Sequence, residues 1–350
     1  MFIKRFLTGL FGGRSQRPNS PANLSANPSG GTASTRPAAR PKKTDRDTRF
    51  DHSVLTVGSL RFVGQGVRSP NKRWVVGCSD RLPGMNARLD ELDGSAVLVD
   101  YLEDRILARL TGLYRPMDAA VADDGTFVVN DANFGNRLSA EVQAFDVKGR
   151  KLFGRKYKAN VFNLAISKCG RYAVVQTANA DNQDGHLLEL FDLQAGGPMF
   201  SRTPATGWAD QYSFVVDDRG NLKHLTVVHN DIGRFNYSPE GEFLEAAAYQ
   251  NARLKKGAPE MRIYAAKEAQ KADPENHQLA QELIAVLDAA LGELTIDRTD
   301  YRAIGLRVKG EAMELTGRPG DALAAYAEAV KLNPKIGVAK RLAALKKGMP

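Results

Sequence analysis

Asp100, Asp146 and Asp192 stand 46 residues apart, each behind an apolar residue: Val99-Asp100, Phe145-Asp146 and Phe191-Asp192. One more step of that length reaches Ser238, inside the similar phrase Phe235-Asn236-Tyr237-Ser238-Pro239-Glu240-Gly241. A fixed period in the forties marks a stacked or radial repeat of supersecondary units. Such architectures mostly present surfaces to partners and seldom carry a self-contained catalytic motif.

Between residues 53 and 248 short apolar runs alternate with turn residues, and four stretches align. They are 66–76, 119–129, 164–175 and 214–225, each an apolar strand, a polar turn and a second apolar strand. Gly125, Gly170 and Gly220 supply the positive φ that tight hairpins need. In the first stretch Asn71-Lys72 stands there, with Asn71 the residue that tolerates positive φ. A third strand ending on the 46-residue phrase follows each pair. Then come another turn and a short outer strand such as Lys151-Leu152-Phe153. The grammar is a four-stranded antiparallel unit repeated four times, as in propeller blades. The third unit, LAISKCGRYAVVQTAN…HLLELFDLQAG, carries the resemblance best: the region resembles WD-repeat and quinoprotein-like β-propellers, without their Gly-His and Trp-Asp dipeptides. A meander-rich sandwich is the alternative. The strands near Val54–Val57 and Leu60–Val63 either complete the last blade or begin a fifth. The spaced aspartates read as anchors for turn amides.

After Tyr249 the composition turns to Ala, Leu, Lys and Glu at helical spacing. Residues 303–336 resemble a tetratricopeptide repeat. Counted back from Pro334, the residues Gly310, Ala322, Tyr326 and Ala329 occupy its small and aromatic positions, and Leu306 an early apolar one. Met313 stands where the motif has an aromatic and Lys309 where it has an apolar residue, while Gly317 marks the turn. Small residues let antiparallel helices approach, and Tyr326 fills the gap between pairs. Tyr264–Ala272 reads as the second helix of an earlier unit, Gln278–Leu291 as a further amphipathic helix and Ile336–Lys347 as a capping helix. A plain helical hairpin bundle is the alternative.

Ten Lys/Arg against Asp45 and Asp47 give the first fifty residues +8, which leaves +1 of the total +9 for the other 300. The body is therefore near neutral, and a nucleic-acid partner is not expected. Residues 1–13 pattern as a short amphipathic helix in which Phe2, Ile3, Phe6, Leu7, Leu10 and Phe11 share one half of the wheel. That segment docks on a membrane surface or a partner, or folds onto nothing. Residues 14–49, rich in Pro, Ser, Gly and Arg, read as a disordered basic linker. The divisions are thus 1–13, 14–49, a propeller-like domain over 50–249 and a helical domain over 254–350. No run of about 18 apolar residues occurs. Cys78 and Cys169 fit free thiols in a reducing compartment, and the expected location is cytoplasmic, with possible peripheral membrane contact.

No chemistry-bearing constellation emerges. His52, His186, His224, His229 and His277 lack metal-ligand spacing. The loop Asn179–Gly185 fails the calcium-loop register, and Gly64-Gln65-Gly66 lacks the third glycine of a dinucleotide loop. No catalytic residue, metal or cofactor is therefore assigned. The reading is a non-enzymatic interaction scaffold in which the concave face of 258–347 binds a partner peptide or helix. Its partner region contains Leu306, Gly310, Met313, Ala322, Tyr326, Ala329 and Pro334, and the propeller loops meet a second protein. The alternative is a small-ligand binder or enzyme that uses loops Asn130–Asn136 and Asn179–His186.

Overall fold

The computed structural model describes residues 46–80, 94–132 and 138–348. The aromatic and aliphatic positions from Phe2 to Phe11, most of the basic linker and the loop 133–136 lie outside the described residues.

Seventeen strands among the described residues form four antiparallel sheets that follow one another in chain order. Sheet 1 runs β1 (Thr48–Asp51), β2 (Val54–Val57), β3 (Phe62–Arg68), β4 (Trp74–Ser79), β5 (Gly94–Asp100) and β6 (Arg105–Leu113). Sheet 2 comprises β7 (Pro116–Val121), β8 (Phe127–Ala132), β9 (Ala140–Phe145) and β10 (Lys151–Tyr157). Sheet 3 has β11 (Val161–Ile166), β12 (Tyr172–Thr177), β13 (Leu188–Asp192) and β14 (Gly197–Arg202). Sheet 4 holds only β15 (Gln211–Val216), β16 (Leu222–His229) and β17 (Gly233–Tyr237).

The sheets pack because the middle strands are apolar on both faces, the pattern of a strand buried between two layers. Trp74, Val76 and Leu98 face Phe127, Val129 and Phe145 of sheet 2. Val128 and Val142, on the opposite face of sheet 2, meet Val175 and Phe191 of sheet 3. Tyr172, Val174 and Leu190 then meet Leu225, Val227 and Phe235 of sheet 4. Both ends of the succession are finished differently. The outer face of sheet 1 (Val75, Val97, Val99) is covered by Leu55, Val57 and Phe62 of its own curled β2–β3 hairpin. The segments near 54–57 and 60–63 therefore belong to the first sheet and not to the last. On sheet 4 the face opposite Leu225 and Val227 carries Ser213, Thr226 and Asn236, which are cross-strand partners. Among the described residues no apolar cluster joins sheet 4 to sheet 1.

The spaced aspartates end strands and hold the following turns. Asp100 accepts the amides of Leu102 and Glu103 at 3.2 Å, and its Oδ2 receives Arg73 Nε and Nη2 at 3.0 and 2.8 Å. Asp192 repeats this with Gln194, Ala195 and Arg171. Asp146 takes the amides of Lys148 and Arg150 at 2.9 Å. Burial pushes all three carboxyls up, but these bonds outweigh it and hold them below the usual carboxylate range. Ser238 does the same work with a hydroxyl, accepting the amides of Glu240 and Glu242 at 3.2 Å.

The first hairpin turn differs from expectation, because Lys72 and not Asn71 adopts positive φ (63°). Asn71 is occupied in joining sheets: its amide and its Nδ2 both donate to Asp123, at 2.7 and 2.8 Å. Two aromatic residues at equivalent positions also reach the next sheet's turn. Trp74 Nε1 donates to the Asp123 carbonyl at 2.9 Å. Tyr172 Oη donates to the Gly220 carbonyl and accepts the Leu222 amide, both at 3.1 Å.

At the chain start, Thr48 and Arg49, assigned to the linker by composition, form the first half of β1. Asp104 orders them by accepting the Asp47 and Thr48 amides at 2.9 Å. After β17 no outer strand follows. Phe243 makes one bridge to Tyr237, and the chain turns into α1 (Ala246–Lys256). Tyr249 of α1 inserts beside Phe235 and Phe243, and its hydroxyl donates to the Thr206 carbonyl at 2.8 Å. Then come α2 (Pro259–Ala272), α3 (His277–Glu293), α4 (Thr299–Leu315), α5 (Pro319–Leu332) and α6 (Ala339–Gly348). They share one apolar core that includes Ile263, Leu283, Leu287, Leu306 and Tyr326.

Candidate partner groove

The α4–α5 pair is set by the residues expected to set it. A Cβ built on Gly310 would lie 2.5 Å from Tyr326 Cε1, so only glycine lets the two helices approach this closely. Gly317 makes the turn at φ 74°, and Pro319 opens α5 where no amide partner is needed. Leu306, Gly310, Met313, Ala322, Tyr326 and Ala329 are all buried, and Pro334 is exposed beyond α5. The six buried ones hold the helices together, while other side chains of these helices are exposed.

Those other side chains line a groove of about 550 Å³ formed by α2, α4 and α6. Lys267, Gln270 and Lys271 come from α2, Arg307, Glu311, Glu314 and Leu315 from α4, and Arg341 from α6, with Pro274 at one end. The arginines are positioned. Arg307 donates to Glu311 and to the Ile336 carbonyl at 2.9 and 3.0 Å, and Arg341 pairs with Glu314. Lys267 and Lys271 are exposed and have no carboxylate partner among the described residues. Four basic side chains thus face two acidic ones. The Tyr326 hydroxyl has no hydrogen-bond partner in its buried position, and Gln270 Oε1 is likewise unpaired. Burial pushes the Tyr326 phenol well above its ordinary range, with Arg341 pulling the other way. No exposed charged position of this groove carries an apolar period, which is why sequence reasoning did not single it out.

The loop sites give a second surface. Asn130 is buried, whereas His186, at φ 57°, stacks on Trp208 with centroids 4.9 Å apart. Phe162 stacks on the same indole at 5.5 Å, and Phe162 and Trp208 are partly exposed. Trp208 is fixed by its Nε1 bond to the Thr177 carbonyl at 3.1 Å and by the Gln176 side chain holding Gly207 and Ala209.

Reactive groups are dispersed. Cys78 is buried, and burial pushes its thiol up to about 12, so it is not a thiolate near neutral pH. Cys169 is exposed, with Ser167 Oγ 3.3 Å from its sulfur. His229 is buried beside Phe235 and Tyr249, and its Nε2 has no partner. Among the described residues no three His, Cys, Asp or Glu side chains are grouped to hold a metal ion. No described helix is long and apolar enough to cross a membrane.

No protein-family model and no curated protein matches the chain. Among solved structures, the chain is similar to HIRA(644-1017) at 13% identity and TM-score 0.35, over 79% of this chain and 93% of that one. It is also similar to the β-propeller domain of the Trilobed protease from Pyrococcus furiosus, at 12% identity and TM-score 0.32, over 49% and 53% of the two chains. A complex of KlAtg21 with the coiled-coil of AgAtg16 is similar at 7% identity and TM-score 0.34, over 56% and 60%. Of these, the Trilobed protease domain is a β-propeller.

Proposed function

We propose that the chain is a non-enzymatic protein-interaction scaffold. The propeller-like sheets carry a tetratricopeptide-like helical stack whose α2–α4–α6 groove holds an extended segment or helix of a protein partner. One observation carries the reading: a groove of about 550 Å³ bordered by Lys267 and Lys271, which have no carboxylate partner among the described residues, while the buried motif residues are spent on helix packing. The near-neutral body argues against a nucleic-acid partner. The protein would act in the cytoplasm, and the apolar positions Phe2, Ile3, Phe6, Leu7, Leu10 and Phe11 would add a membrane or partner contact. Full-length protein and the Lys267→Glu/Lys271→Glu variant are compared by quantitative affinity capture from cells. Selective loss of partners from the variant supports the reading, and an unchanged partner set overturns it.

The ring wall of Phe162, Trp208 and His186 favours a second reading, a ligand site on the loops of sheets 3 and 4. A metabolite screen by thermal shift tests it, and the hit must lose its effect in Trp208→Ala.

A further inference from the structure

Sheets 2 and 3 each have four strands, and sheet 4 stops at three. The missing strand position, along the free edge of β17, is only partly used. Glu242 and Leu244 bond to Ser238 and Asn236 (Ser238 N to Glu242 O 2.8 Å; Leu244 N to Asn236 O 3.0 Å), and Glu245 caps Asn236 with its carboxylate. The chain then leaves the edge as α1. Because Asn236 directs its amide and carbonyl away from β16, the two-residue alternation of an antiparallel ladder directs those of Arg234 the same way. No described group pairs with them. Beside this length of edge lies a cavity of about 320 Å³ between β17 and α1. Ile232, Phe235, Ala248 and Ala252 provide apolar lining, and Arg234, Lys255 and Lys256 form a rim without any carboxylate. None of the three rim cations makes an ion pair among the described residues.

An unpaired strand edge is a template for another chain. An all-cationic rim selects the sign of what approaches. The chain's own basic first fifty residues have the wrong charge for it. We propose that this edge receives an acidic, extended segment of a partner protein, which adds a short antiparallel strand at Arg234. One apolar side chain of that segment fills the cavity, and its carboxylates meet Arg234, Lys255 and Lys256. This surface is separate from the helical groove, so the two stand or fall independently.

The test is fluorescence anisotropy on the full chain with a labelled peptide alternating glutamate and valine. Binding is expected, and Lys255→Glu/Lys256→Glu should weaken it by about tenfold or more. Lys255→Gln/Lys256→Gln, which removes charge without reversing it, should weaken it less. Replacing alternate residues of the peptide by proline, which removes ladder amides, should also weaken it about tenfold. Lys267→Glu/Lys271→Glu in the helical groove should leave it unchanged. No binding by the glutamate–valine peptide, equal binding to the Lys255/Lys256 variants, or equal binding of the proline peptide would overturn the proposal.

Discussion

Two buried tyrosines should respond in opposite directions to the same change. Tyr172 and Tyr326 are 1% and 0% exposed. The Tyr172 hydroxyl bridges sheets 3 and 4 through the Gly220 carbonyl and the Leu222 amide, and the Tyr326 hydroxyl bonds to nothing. Tyr172→Phe keeps the ring, so no cavity forms. It removes two bonds worth about 0.5–1.5 kcal/mol each and strands a buried amide that costs about 1–3 kcal/mol. Allowing for the overlap of these contributions, the expected loss is about 2 kcal/mol. Tyr326→Phe removes a hydroxyl that is desolvated without compensation, and stability should rise by up to about 1 kcal/mol. Urea denaturation of both variants, analysed at a common m-value, separates the outcomes. A Tyr172→Phe change under about 0.5 kcal/mol would refute the account of how sheets 3 and 4 are joined, and a loss in Tyr326→Phe as large as that in Tyr172→Phe would refute the account of Tyr326 as a buried hydroxyl without a partner.

Other consequences are equally direct. Burial lowers the His229 pKa, with Asp210 opposing, so the folded state binds a proton less readily than the unfolded chain. The stability from neutral His229 is complete above the unfolded value of about 6.5 and declines as pH falls from there toward the folded pKa, by at most about 1.4 kcal/mol per pH unit. Tm compared at neutral and mildly acidic pH should drop less in His229→Phe than in the parent protein. Gly310→Ala should destabilise by about 1–3 kcal/mol through overlap with Tyr326. Gly292→Ala, with nothing within 4 Å, should be neutral or stabilise by up to about 1 kcal/mol. Equal effects in a thermal melt would contradict the close approach of α4 and α5.

What was legible in the sequence was whatever repeats locally. Asp100, Asp146 and Asp192 are turn anchors because a strand end needs an acceptor for following amides, and that need recurs with each unit. Ser238 keeps the role with a different atom, so its phrase is fainter. Lys72 was missed because a lysine at positive φ has no local signal, and Asn71 beside it is the better turn former. The fourth outer strand failed because Glu242–Ala248 can serve either as a strand or as a helix entry, and Tyr249 packing on Phe235 decides for the helix. The helical motif was readable from small residues at fixed spacing. Its groove was not, since Lys271, Arg307 and Arg341 converge only when three helices stack. Phe162, His186 and Trp208 are likewise far apart in sequence and meet through the packing of sheets 3 and 4.

The scaffold reading rests most directly on the helical groove. Site-specific photo-crosslinking from position 271 in the full chain, with products identified by mass spectrometry, measures what occupies it. A defined protein partner, crosslinked through one segment and lost when Lys267→Glu is added, is the predicted result. Crosslinks no different from those of an exposed position outside the groove would contradict it.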